Sequence, residues 1–359
     1  MMTFKCTSCG RPQPLTFTGF LCPTCTGLLG LAQPPVFDAG RIDLSLPGIW
    51  RYRPTLGLPD DAPVVTLGEG NTPLIPLALN GRTIHFKHEG LNPTGAFKDR
   101  GMAVVFSWLR LLGVTEAIED SSGNAGASFA AYAACSGVKA RVFVPAGAAG
   151  AKRRQIEAYG ADLVAIDGPR SKAAEAARAA ALAGAVYASH VFNPLGLLGN
   201  ATCAYEIVAQ LGRAPEAVIL PVGHGTLLLG LSLGFQALKA AGVIPAVPRL
   251  IGVQAMACAP LWAVAKHGRQ GLDWVTEGET IAEGIRVVQP LRGDAVLAAI
   301  TASGGSLYAI DDDQIRTGHG ELARRGLFVE LTSAAVWPVL AETSGDVVAI
   351  LTGHGLKSV

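Results

Sequence analysis

An excess of either charge is the first thing this sequence lacks. Its 359 residues carry 29 Lys and Arg against 28 Asp and Glu, and no run of basic residues stands out. That balance leaves no electrostatic footprint for nucleic acid or for an anionic membrane surface. Long apolar runs are also missing: the stretches from Leu227 to Phe235 and from Ala173 to Val186 are broken by glycine or charge, and neither is long enough to span a bilayer comfortably. The opening Met1-Met2-Thr3-Phe4-Lys5 runs straight into cysteine without the apolar core of a secretory leader. The expectation is a cytoplasmic protein whose partners are small molecules. Half of the residues are hydrophobic, enough for a large core in two or three units.

The seven cysteines divide into two groups. Cys6 and Cys9, then Cys22 and Cys25, form two Cys-x-x-Cys knuckles separated by twelve residues. That spacing suits a tetrahedral zinc site. About thirty residues bury too little to fold alone, so metal binding would supply folding energy. Two disulfides, or a ribbon without metal, are the competing readings, and without an export signal the first is disfavoured. Only Lys5 and Arg11 are positive here, too few for phosphate contacts, so the ribbon reads as structural. Cys135, Cys203 and Cys258 lie in apolar surroundings and read as core.

The stretch from about Leu31 to Pro63 is a proline- and glycine-rich linker that packs, with Trp50 and Tyr52 as anchors. Beyond it strand-like and helix-like segments alternate. This predicts an α/β architecture with largely parallel sheets. Strands are expected over Thr83–Glu89, Glu116–Asp120, Val138–Val144, Asp162–Ile166, Ala217–Val222 and Val347–Leu351. Helices are expected over Met102–Leu109, Ala127–Ser136, Lys152–Tyr159 and Ser171–Ala183, and from Leu227 onward.

Three strand-to-helix connections carry candidate chemistry. Asn92-Pro93-Thr94-Gly95-Ala96-Phe97-Lys98-Asp99-Arg100-Gly101 places Lys98 where a turn enters an apolar helix. Desolvation there lowers a lysine pKa toward the nucleophilic amine of Schiff-base chemistry. A solvated, charged helix start accounts for the same residues. Ser122-Gly123-Asn124-Ala125 opens the next helix and exposes backbone N–H groups suited to an anion, although an ordinary capped start would look alike. Gly223-His224-Gly225-Thr226 follows a buried strand and could close around a phosphate at a helix N-terminus; such turns also merely join strand to helix.

Taken in order, these segments resemble the threonine synthases. The matching residues are Trp50-Arg51-Tyr52-Arg53, Leu67-Gly68-Glu69-Gly70-Asn71-Thr72-Pro73-Leu74, the Lys98 decapeptide, Ser122-Gly123-Asn124 and Leu351-Thr352-Gly353-His354-Gly355-Leu356-Lys357. The resemblance implies a two-domain fold type II pyridoxal-phosphate enzyme, α/β with parallel-rich sheets flanked by helices, plus an N-terminal zinc ribbon. Implied boundaries are 1–30 for the ribbon, 31–94 with 201–359 for a large cofactor-binding domain, and 95–200 for a small mobile substrate domain, with the cofactor between the two domains. Lys98 would carry pyridoxal 5'-phosphate and act as base at Cα. Asn124 would meet the cofactor's 3-hydroxyl, Gly223, His224, Gly225 and Thr226 its phosphate, and Thr352 its ring nitrogen. His224 stands where the family commonly has asparagine. Ser122, Gly123, Asn124, Ala125 and His190 would face the amino-acid substrate. Glu330 matches a family loop near the site, or caps the helix after it. A homodimer is the family's common assembly.

One segment departs from that pattern. Threonine synthases usually show Asn-Ser-x-Asn-Pro-x-Arg-x-x-Gly-Gln, whose first asparagine, serine and arginine help grip the substrate phosphate. Here His190, Val191 and Gly196 occupy those three places, while Asn193, Pro194 and Gly199 align. Losing a guanidinium and a hydroxyl removes charge-assisted hydrogen bonds to phosphate. Two substrate expectations follow. One is threonine formation from O-phosphohomoserine with phosphate release; the other is elimination or replacement at Cβ of a smaller, unphosphorylated amino acid such as serine, threonine or an activated serine, as in serine/threonine dehydratases or cysteine synthases. A cofactor-binding protein without catalysis is the third reading.

Overall fold

A computed structural model describes residues 2–79 and 81–358. Its backbone contacts divide the chain into two compact units, Met1–Gly70 with Lys98–Thr202, and Asn71–Phe97 with Cys203–Val359. The chain changes unit at the Gly70–Asn71 bond, at the Phe97–Lys98 bond and again inside the helix Gly196–Leu211.

The first unit begins with the ribbon, a three-stranded antiparallel sheet of β1 (Phe4–Cys6), β2 (Pro12–Gln13) and β3 (Leu29–Leu31) in the order β2-β1-β3. The ribbon and residues 31–70 cluster with the expected small domain, rather than standing apart or joining the large one. Shared burial is the reason. Phe4, Cys6, Cys22, Leu29, Ile49, Trp50, Leu56 and Val65 lie in one core with Met102, Phe106, Trp108 and Phe129. Trp108 stands edge-on to Phe4 and donates its indole N–H to the Leu15 carbonyl at 2.7 Å.

Glu69 ties the linker down. Its buried carboxylate accepts from Trp50 Nε1 at 2.9 Å, from the Leu67 N–H at 3.0 Å and from the Tyr132 hydroxyl at 2.6 Å. Gly48, at φ +48°, passes so close that a Cβ would sit 1.7 Å from the Glu69 carbonyl oxygen. The glycine is therefore a packing requirement.

The sheet of this unit is parallel, in the order β6-β7-β8, once the hairpin strands β4 (Leu74–Leu79) and β5 (Arg82–His88) of the other unit are numbered in chain order. β6 is Glu116–Glu119, β7 is Lys139–Pro145 and β8 is Asp162–Ile166. The helices Lys98–Leu111, Asn124–Ser136, Ala151–Ala158 and Arg170–Leu182 complete the α/β alternation. Ile118 also forms a parallel bridge to Tyr187, so the chain after Tyr187 runs out beside the end of β6.

The second unit is one six-stranded sheet, β11-β10-β9-β12-β5-β4. Its remaining strands are β9 (Ala217–Pro221), β10 (Arg249–Ala255), β11 (Ser306–Ile310) and β12 (Val347–Leu351). Among the described residues of this sheet only β4 runs antiparallel, against β5. β9 and β12 are buried at every residue, as their unbroken apolar sequence requires of central parallel strands. A buried ion pair, Lys87 Nζ to Glu206 Oε2 at 2.7 Å, is completed by the Thr72 carbonyl, by Gln210 and by the Asn71 N–H. Further hydrogen bonds are what a charge pair taken out of water needs to persist.

Candidate active site

In the first unit Lys98 opens its helix, and the charged residues after it are not solvated. Asp99 and Arg100 are fully buried. Asp99 accepts from the Ser128 hydroxyl at 2.6 Å, and Arg100 donates to Thr202 Oγ1 at 2.9 Å. An exposed helix start is excluded. Gly199 lets the helix Gly196–Leu211 lie against this turn, since a Cβ there would stand 1.9 Å from the Arg100 carbonyl oxygen. Desolvation lowers the Lys98 pKa to about 8; Arg170 pushes the same way and the Glu119 carboxyl opposes. A lysine of that pKa holds a far larger share of the neutral amine near physiological pH than an ordinary lysine does, and the neutral amine is the form that imine formation and proton abstraction require.

The loop after β6 leads into the helix Asn124–Ser136 through Ser121, Ser122 and Gly123, with the Gly123 N–H on Ser121 Oγ at 3.2 Å. Gly126 closes the turn: a Cβ would fall 1.7 Å from the Ser121 carbonyl oxygen. Ala125 is buried beside it. His190 is placed in the same unit, its Nδ1 2.8 Å from Glu119 Oε1. The sequence alone places Glu119 only within the expected strand Glu116–Asp120. The one signal available was an acidic pair, Glu119-Asp120, directly before the Ser-Gly-Asn loop.

The segment that departs from the family pattern is packed as core. Val191, Phe192, Leu195, Leu197 and Leu198 are buried, and Asn193 closes its own turn by accepting from the Leu195 N–H at 2.9 Å. The loop holds its shape through Asn193 and Pro194, with an apolar side chain where a hydroxyl would have gripped an anion.

In the second unit β9 delivers Gly223-His224-Gly225 to the helix Thr226–Ala240. Gly225 has φ +80°, and a Cβ there would lie 2.3 Å from Val296 Cγ2; at Gly223 a Cβ would meet Val287, Gly284 and Ile285 at 3.1–3.2 Å. Both glycines are needed for the backbone to turn tightly at a helix N-terminus, a form that suits phosphate. β12 delivers Thr352, whose hydroxyl lies 3.0 Å from Ser333 Oγ. Ser333 also accepts from the Gly353 N–H at 2.9 Å and so fixes the Thr352 turn. Sequence reading gave Ser333 no role, because nineteen residues separate it from its partner.

The Asn92–Phe97 segment is held by the same turn. The Phe97 N–H donates to the Thr352 carbonyl at 3.1 Å, the His354 N–H to the Gly95 carbonyl at 2.9 Å, and Lys357 Nζ to the Thr94 carbonyl at 2.6 Å. Asn92 is locked from within by Glu89, through its amide to Oε2 at 2.9 Å. Glu330 makes no side-chain cap to the helix Leu331–Ala334 and instead backs the Thr352 turn, where a Cβ on Gly353 would overlap its carboxylate.

The four ribbon sulfurs lie within 4.8 Å of one another, with Cys6 to Cys25 at 3.5 Å and Cys9 to Cys22 at 3.8 Å, and none forms a disulfide. Zinc–sulfur bonds of about 2.3 Å in a tetrahedron require sulfurs about 3.8 Å apart. The cluster fits that ion.

Residues 65–353 match the family model described as pyridoxal-phosphate dependent enzyme. The chain belongs to this family. The threonine synthase of Methanocaldococcus jannaschii is 34% identical over 99% of this chain and 93% of its own length; that of Synechocystis sp. is 38% identical over 85% and 82%. Among solved structures, a threonine deaminase from T.th. superposes with a TM-score of 0.67 at 27% identity, covering 79% of this chain and 92% of that one. Maize serine racemase, at 21% identity and a TM-score of 0.68, covers 79% of this chain and 88% of its own and shares the fold. The chain is thus a threonine synthase-like, pyridoxal-phosphate dependent lyase, and the expected α/β fold with parallel-rich sheets is the one found. Among the described residues no helix is long and apolar enough to cross a membrane.

Proposed function

We propose that this lyase breaks a carbon–oxygen bond in a small amino acid, with Lys98 as the cofactor-bearing lysine. The observation that carries the proposal is Lys98 itself, desolvated at a buried helix start with its pKa brought to about 8. The bound cofactor would supply the electron-withdrawing group that lets a Cα proton leave. Gly223, His224, Gly225 and Thr226 would hold its phosphate, Asn124 its 3-hydroxyl and Thr352 its ring nitrogen. Thr352 is a neutral partner kept in place by Ser333. The Ser122-Gly123-Asn124-Ala125 helix start would receive the substrate carboxylate, and the freed Lys98 amine would take the Cα proton.

The threonine synthase relatives point to threonine formation as the first reaction to assay, with O-phosphohomoserine, the substrate the family resemblance implies, as the starting compound. A second reading, elimination from an unphosphorylated amino acid, is favoured by His190 being engaged by Glu119 while Val191 is buried as core. Purified, cofactor-loaded protein given O-phospho-L-homoserine should release inorganic phosphate and threonine under the first reading. Under the second it should form 2-oxo acid from L-serine or L-threonine. Lys98→Ala should abolish both, and an active Lys98→Ala protein would overturn the assignment.

For the ribbon we propose structural zinc on Cys6, Cys9, Cys22 and Cys25, supported by the sulfur spacing. A cytoplasmic homodimer is the proposed setting, supported by the family resemblance and the balanced charge.

A further inference from the structure

β6 and the bridge strand at Tyr187 end side by side, and their C-terminal ends deliver Glu119 and His190. In open α/β sheets ligands bind beyond this end of the strands. Glu119 is fully buried. Its Oε1 lies 2.8 Å from His190 Nδ1, while Oε2 makes no hydrogen bond among the described residues. A buried carboxyl oxygen without a partner is costly and calls for a ligand or a function.

The groups acting on this carboxyl come from every neighbouring element: Lys98 from its helix start, Asp120 from the adjoining loop, Arg170 from the helix Arg170–Leu182, Tyr187 from the bridge strand, and His190. Burial, followed by the Asp120 carboxylate, raises the Glu119 pKa well above the usual carboxylate range, against the opposing pull of Arg170, Lys98 and the His190 N–H. Burial and Asp120 thus favour the protonated form of Glu119, the form that has a proton to give, and the group lies within electrostatic reach of Lys98.

We propose that Glu119, held by His190, is the general acid that protonates the departing hydroxyl of an unphosphorylated β-hydroxy amino acid. The inference rests on Lys98 being the cofactor-bearing base, and it names the substrate class for that site. Lys98 removes the Cα proton, and the electron pair of that bond becomes the Cα=Cβ bond. The Cβ–O bond breaks with its pair on oxygen, which takes the Glu119 proton and leaves as water. The Glu119 carboxylate is reprotonated from the imidazole and solvent as water departs. Phosphate leaves without such help, whereas hydroxide is a poor leaving group, so an acid here serves a hydroxyl substrate.

The test pairs two substrates with Glu119→Gln, which keeps the shape and removes the acid. L-serine needs a proton on its leaving group; β-chloro-L-alanine does not. The expected loss in kcat/KM is at least about 100-fold on L-serine, the size of a general-acid contribution, with a fall at least about tenfold smaller on β-chloro-L-alanine. Equal losses on both substrates, or no loss on L-serine, overturn the proposal. So does wild-type protein that turns over O-phospho-L-homoserine and not L-serine. A readout free of turnover accompanies it: the infrared C=O band of a protonated carboxylic acid should appear in wild-type protein at neutral pH and vanish in Glu119→Gln. Its absence from wild type contradicts the proposal. Loss of the cofactor's visible band in Glu119→Gln would mean the variant misfolds, and Glu119→Asp with the same substrate pair then decides, with the loss again expected to be larger on L-serine. Survival of both activities in Lys98→Ala would instead strike the underlying reading.

Discussion

Two connections in this protein begin from similar material and end differently. After β9, Gly223-His224-Gly225 turns into the helix Thr226–Ala240, with glycines where any Cβ would collide. From His190 to Gly196 the chain likewise leads into the helix Gly196–Leu211, but the places that bear anion-gripping side chains in threonine synthases hold histidine, valine and glycine. The first connection presents backbone N–H groups, which no substitution removes so long as the turn forms. The second depends on side chains, and the side chains are what differ. On the proposed assignment of the two connections, cofactor binding would rest on backbone and substrate choice on side chains, so that one could change without the other.

That contrast is broken most strongly by returning the missing ligands. Val191→Ser together with Gly196→Arg and His190→Asn should raise kcat/KM on O-phospho-L-homoserine by at least about 100-fold, as a bidentate guanidinium and two further hydrogen bonds would allow. A Cβ at position 196 would meet Gly101 and Val105 only at 3.8 Å, so the first side-chain atom is tolerated at this buried position. No gain in a folded triple variant would show that another group already governs phosphate. Gly225→Val attacks the other side of the comparison. It forces a branched side chain into a positive-φ position facing Val296, and pyridoxal-phosphate affinity measured by titration should fall about tenfold or more, with stability lower by about 1–3 kcal/mol. Unchanged affinity would remove the turn from the cofactor site.

Smaller effects are expected away from both connections. Stripping metal with a chelator should lower Tm by at least about 4 °C, because the ribbon shares its core with Trp108 and about 1 kcal/mol corresponds to a few degrees in a protein of this kind. Intrinsic tryptophan fluorescence, to which Trp108 contributes, should report the same transition, and an unchanged Tm once bound zinc has been removed would take away its structural role. Trp50→Phe deletes one donor to buried Glu69 and should cost about 1–2 kcal/mol by denaturant unfolding, while leaving cofactor affinity alone.

Much of this was legible in the sequence where a single local pattern decides. Asp162–Ile166 and Val347–Leu351 are strands at the boundaries their apolar runs suggest, and the helix after Lys98 follows from its apolar run. What was not legible depends on distant partners. The packing of residues 31–70 with the ribbon hangs on Glu69 meeting Trp50 and Tyr132. Ser333 gains its role only by touching Thr352, and Glu119 only by meeting His190 seventy-one residues later. Capping by Glu330 was one sequence reading, and in the fold its side chain lies against Gly353 instead.

The central claim is that Lys98 alone carries the cofactor, and borohydride reduction of the loaded protein followed by peptide mapping tests it most directly. The prediction is a single phosphopyridoxyl adduct on Lys98, absent from Lys98→Ala. Capture of pyridoxal phosphate by cofactor-free protein should quicken about tenfold per pH unit below the Lys98 pKa of about 8 and level off above it, since only the neutral amine attacks. An adduct on another lysine, or none at all, would contradict the account.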